Sequence, residues 1–172
     1  MHSSIRTAVL VALLGVVAGG CSGPMQHKAL ITREVEEAFN AGNLAVIDEI
    51  MAEDMVNHDP PPGIAGDREG FKELVRMHRT AFSDFHCKTE GMVAEGDMVA
   101  SRWSWTGVHD KGPYMGVPPT GKKVTVTGMT LNRFEEGKIV EQWHEVDIMG
   151  MLEQMGVLSD APPAAPPKPA GH

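Results

Sequence analysis

The sequence predicts an α+β domain: a cone in which a curved antiparallel sheet packs three N-terminal helices and one short C-terminal helix, enclosing a cavity. Three observations predict it. Apolar residues recur at helical spacing up to about Phe82, they alternate at strand spacing from Phe85 to Val146, and a last short helical run follows Asp147. Concave, mostly apolar pockets of that kind are where small ligands bind.

In chain order, residues 1–20 come first. Arg6 is their only full side-chain charge, and the apolar run AVLVALLGVVAGG leads to Cys21. A basic start, a short apolar stretch and small residues before a cut describe an export signal, since a spanning helix needs roughly 20 apolar residues. Ala18, Gly19 and Gly20 ahead of Cys21 resemble the lipidation box of bacterial lipoproteins. On that resemblance Cys21 carries lipid, the protein faces the periplasm or cell exterior on a membrane anchor, and Ser22 favours the outer membrane. The alternative is a conventional cut beside an incidental cysteine. With Cys21 lipidated, Cys87 is the only free thiol, read as a buried small hydrophobe.

Residues 21–29 read as a linker and residues 30–158 as one domain. Ile31, Val35, Ala38 and Phe39 share one helical face, NAGN interrupts, and Leu44, Ile47, Ile50 and Met51 begin a second helix. Asp67 is an N-cap candidate for a third helix with its stripe at Phe71, Leu74, Val75, His78 and Phe82. Two hairpins follow, one turning at EGD between Val93 and Met98 and one at EEGK after Phe134. The helix IMGMLEQMG closes the domain. Residues 159–172, SDAPPAAPPKPAGH, carry too much proline for a helix or strand and read as an extended tail.

The formal net charge is -8 at pH 7, which excludes a nucleic-acid partner because that requires a basic footprint. The histidines show no close pair at helix spacing, so no metal site is expected, and no cofactor.

Three ordered segments, NHDPPPGIAGDREGFKELV, GVPPTGKKVTVTGMTLNRFEEGKIVEQW and WHEVDIMGMLEQMG, resemble the SnoaL-like polyketide cyclases, also called ester cyclases, of the nuclear transport factor 2-like fold. The resemblance implies cofactor-independent acid–base chemistry, in which an aspartate near the end of the last strand drives an intramolecular aldol closure. The matching residue is Asp147. It also matches Arg102 and His109 to a strand arginine and a following histidine, although the family-like GTH reads GVH at Val108. In this fold dimers through the outer sheet face are common, so a homodimer is left open.

On a strand, Glu141, Trp143, Glu145 and Asp147 share one face, while Val140, Gln142, His144 and Val146 share the other. If the far end of the first face opens into the cavity, Asp147 is a partly buried base beside Trp143. Otherwise it caps the helix that begins at Ile148. His58, entering the rigid DPPPG loop, either reaches a substrate carbonyl or ties down the loop. Arg102, Ser104 and Thr106 alternate with Trp103 and Trp105, and periodicity leaves open which set faces inward. His78 is read as a satisfied core histidine, and His144 joins the substrate-binding candidates. Two functions stay in view: a cyclase, isomerase or hydrolase acting on a small apolar carbonyl compound, or a lipid-anchored binder of a small apolar molecule.

Overall fold

A computed structural model of the protein describes residues 23–158. The segments expected to be an export signal, a lipidation site at Cys21 and an extended proline-rich tail lie outside these residues. Helix α1 spans Pro24–Arg33 and runs on into a π-helical segment, Glu34–Asn40. It therefore occupies most of what the sequence suggests is a linker. Proline is tolerated there because it stands in the first turn, where its missing N–H would have no intrahelical partner.

The helix α2 (Ala45–Ile50) is short, and the chain turns at Met51 into a strand, β1 (Met51–Asn57), where helix was expected. β1 lies parallel to the last strand, with a register irregularity between Met51 and Val56. That irregularity leaves Met51 and Met55 buried at helix-like spacing, which is why the segment reads as helix. Glu53 and Asp54 face solvent, as suits an edge strand.

Helix α3 (Arg68–Ala81) starts where expected, with the Asp67 carboxylate accepting from Gly70 N–H at 2.8 Å. It passes without a loop into β2 (Phe82–Glu95), followed by β3 (Met98–His109), β4 (Lys123–Glu135) and β5 (Lys138–Val146). These four form the expected antiparallel meander, and the sheet order is β1-β5-β4-β3-β2. The EEGK turn has positive φ at both Glu136 and Gly137, the two-residue geometry that matches strand twist. Helix α4 (Ile148–Met155) ends at Gly156, in the left-handed region at φ 76°.

The core divides into two parts. At one end Ile47, Ile50, Met51, Phe71, Val75 and Ile139 are essentially inaccessible, each side chain contributing about 1.5–3 kcal/mol relative to exposure. At the other, Phe82, Trp105, Tyr114, Val126, Met151 and Met155 form a second buried cluster. Cys87 is buried there, as expected, and its thiol is pushed up to about 12 by desolvation and by the neighbouring Glu34 and Glu36 carboxyls.

Candidate functional site

A cavity of about 100 Å³ lies between the helices and the concave face of the sheet. A single water needs roughly 10–15 Å³ on the same measure, so the space suits a small molecule. Its walls are mostly apolar: Ile31, Val35, Phe39, Phe71, Leu74 and Met151 from the helices, and Trp103 and Trp105 from β3. The tryptophans are thus the inward set on β3. Trp103 crosses to its register partner Gly128, where an added Cβ would fall 2.4 Å from the indole ring. Only glycine leaves room for that ring.

Against these walls stand a few polar groups. Glu34, at the start of the π-helical segment, is buried and its carboxyl is pushed up to about 8, chiefly by desolvation; a 3.3 Å hydrogen bond from the Gln142 amide opposes the shift. Gln142 also donates to Asn132 at 2.8 Å, so these register partners form a buried polar bridge across β4 and β5. His78 is the satisfied core histidine expected. Its Nδ1–H donates to Leu74 O and its Nε2 accepts from the Tyr114 hydroxyl, each at 2.8 Å, while burial pushes the ring down to about 4.

His144 also turns inward. Its Nδ1 lies 3.0 Å from the Thr130 hydroxyl, which accepts from the Trp103 indole N–H at 2.8 Å. Its Nε2 is buried with no hydrogen-bond partner among the described residues. Desolvation pushes the ring down to about 4 against the Asp59 charge, so it is neutral near pH 7. Asp59, at the cavity mouth, accepts from the His144 backbone N–H at 3.0 Å.

Of the catalytic and substrate-binding candidates Asp147, His58, Arg102, His109, Trp143 and His144, only His144 lines this cavity among the described residues. Asp147 does not, which corrects the expectation of a partly buried base. It is exposed on the outer side, and its carboxylate caps α4 by accepting from Gly150 N–H at 2.9 Å. Arg102 is exposed and shares a shallow outer groove with Glu145 and Asp147. The strand pleat turns it outward because Trp103 and Trp105 turn in.

Trp143 also faces outward, stacked on His58 with ring centroids 4.6 Å apart. His58 sits 2.8 Å from Glu141, whose other oxygen accepts from Arg133. The hydrogen bonds from His58 and Arg133 hold the Glu141 carboxyl below its ordinary value. His58 therefore ties the DPPPG loop to the convex face of the sheet, away from the cavity. His109 points inward and is fully buried, but its nitrogens meet Thr120 Oγ1 at 3.3 Å and Gly112 O at 3.0 Å. It pins the loop that carries Tyr114 and does not line the cavity.

Glu34 and Thr130 were not singled out in the sequence. Glu34 had a legible signal, being a carboxylate three residues after Ile31 within the apolar stripe Ile31, Val35 and Ala38. Thr130 had none, since a threonine in a strand is ordinary.

A family model described as SnoaL-like polyketide cyclase matches residues 29–155. The chain is 31% identical over 121 residues to the nogalonic acid methyl ester cyclase of Streptomyces nogalater, covering 69% of this chain and 90% of that one. It is 27% identical over 150 residues to the aklanonic acid methyl ester cyclase DauD of Streptomyces sp. (strain C5), covering 83% of this chain and 92% of that one. Among solved structures, wild-type IdmH from Streptomyces antibioticus superposes with a TM-score of 0.66 at 35% identity, over 76% of this chain and 99% of that one.

Proposed function

Since the chain belongs to the SnoaL-like polyketide cyclase family, with its nuclear transport factor 2-like fold, we propose that it is a cofactor-independent acid–base protein of the ester-cyclase type. It binds a small, largely apolar carbonyl compound in the cavity and moves a proton next to that carbonyl, for aldol ring closure, isomerisation or hydrolysis. The observation that carries this reading is Glu34. A carboxyl pushed up to about 8 is mostly a proton donor at neutral pH, and its ionised fraction is a stronger base than an ordinary glutamate. Apolar walls around a desolvated carboxyl bring its pKa close to working pH, which suits proton transfer to and from carbon. The proton chemistry accordingly moves from Asp147 to the inner face.

The test is incubation of the purified protein with nogalonic and aklanonic acid methyl esters, and with smaller β-keto esters, reading ring closure or hydrolysis by mass spectrometry and NMR. Turnover that disappears in Glu34→Gln supports the reading. Turnover that survives Glu34→Gln and disappears in Asp147→Asn overturns it. The second reading, a lipid-anchored binder without turnover, is favoured by the capping, exposed Asp147. It predicts retained ligand affinity with no product from any of these esters. Both readings place the protein on a membrane through lipid at Cys21, outside the cytoplasm. Cys21→Ser then releases it to the soluble fraction, and unchanged membrane attachment without lipid on the peptide excludes the anchor.

A further inference from the structure

We propose that His144 presents a fixed Nε2–H to the cavity and that this N–H receives the carbonyl oxygen of the bound compound, its tautomer being set by a hydroxyl relay from Trp103 through Thr130. The proposal rests on the acid–base reading above and names the ligand group that the site recognises.

The chain of donors fixes the proton's position. An indole nitrogen can only donate, so the Thr130 oxygen is the acceptor in the 2.8 Å contact with Trp103. The hydroxyl keeps its own proton, and among the described hydrogen bonds its remaining partner is His144 Nδ1, at 3.0 Å. Thr130 donates and Nδ1 accepts. A neutral imidazole that accepts at Nδ1 carries its hydrogen on Nε2. That nitrogen is buried without a partner, on a ring that lines the cavity. A buried donor without a partner is unfavourable, so an acceptor arriving there satisfies a group that no described residue pairs.

The three residues are held by the sheet. Thr130 and His144 are register partners on β4 and β5, and Trp103 lies over Gly128, two residues from Thr130 on the same face of β4. A donor fixed in advance at the point where negative charge develops is the arrangement that stabilises an enolate or a tetrahedral oxyanion. For enolisation the Cα–H bond breaks and the proton passes to the ionised form of Glu34. The electron pair shifts onto the carbonyl oxygen, which the His144 Nε2–H holds. The imidazole stays neutral throughout, so no proton is lost from the relay. The ligand class is thus a ketone or ester with an enolisable α-carbon and an apolar body.

The test uses the full chain labelled with ¹⁵N-histidine and long-range ¹H–¹⁵N correlation spectra at pH 7. The expected result is His144 as the Nε2–H tautomer; the Nδ1–H pattern overturns the proposal. Thr130→Ser should preserve the Nε2–H form, and Thr130→Val should mix or invert the tautomers. A fully retained Nε2–H form in a folded Thr130→Val protein overturns the relay. The ligand half is read with 1-indanone carrying ¹³C at its carbonyl. Its resonance should move downfield on binding, and that shift should be lost in His144→Phe, with Thr130→Val weakening binding roughly 3–10-fold. A probe that fails to bind, or binds with an unshifted carbonyl, overturns the ligand assignment. Neither readout requires turnover, so a protein that polarises the probe but converts no ester defeats the catalytic reading and leaves this inference standing.

Discussion

The two faces of β5, taken on to the Asp147 cap that follows it, carry polar and titratable side chains in different physical settings. Outward, Glu141, Trp143, Glu145 and Asp147 lie against water or paired partners; inward, Gln142 and His144 lie against the apolar interior. His58 and Glu141 form a solvated pair at 2.8 Å, and the Glu141 carboxyl, accepting from His58 and Arg133, is held below its ordinary value. Glu34 and His144, with fewer charged neighbours, are both driven to their neutral forms by burial. Whether a titratable group is buried, more than which group it is, decides which face can do proton chemistry at pH 7.

The largest expected effect separates the faces by activity. With any substrate that the protein converts, Glu34→Gln and His144→Phe should each lower kcat/KM by about 10²-fold or more, while Asp147→Asn leaves it within about threefold. Steady-state kinetics on the three variants check this. Comparable losses from both faces would break the contrast.

The next effect needs no substrate. His78 and His144 have folded values depressed to about 4 from the ordinary 6.5, so near pH 6 to 4 the unfolded chain binds more protons than the folded one. Their contribution to stability is fully present above about 6.5 and is lost as pH falls through about 4. Glu34 has the opposite sign. Its folded value is raised from 4.5 to about 8, so its contribution is present below 4.5 and is lost as pH rises through about 8. Chemical denaturation from pH 4 to 9 should therefore show stability falling at both ends, with the alkaline limb flattened in Glu34→Gln.

The smallest effect concerns the cap. Asp147→Ala should cost about 1 kcal/mol of stability, and Asp147→Asn only a few tenths, because asparagine caps nearly as well. Thermal melts of the two variants sharpen the comparison. A larger loss would mean that the outer groove shared with Arg102 and Glu145 is more than a solvated surface.

Much of this architecture was legible in the sequence. The meander, the third helix with its Asp67 cap and the EEGK turn follow from local periodicity and turn chemistry, which act within a few residues. β1 was not legible because its irregular register places buried methionines at helix-like spacing, and α1 began earlier because proline at a helix start gives no periodic signal. The site was less legible for a related reason. Period two sorts β5 into two faces without saying which is wet, and only the packing of Trp103 and Trp105 toward the helices decides that Gln142 and His144 go inside. Asp147 illustrates the ambiguity well, since one carboxylate at a strand–helix junction satisfies the pattern of a base and the geometry of a cap.

The most direct measurement is the titration of the Glu34 carboxyl itself, followed by ¹³C NMR in the folded protein with Glu34→Gln to assign the signal. The account predicts a midpoint near 8, leaving the group a proton donor at neutral pH inside the cavity. A midpoint near the ordinary carboxylate value of 4.5 would mean that Glu34 is solvated and charged, and would contradict the assignment of proton chemistry to the inner face of the sheet.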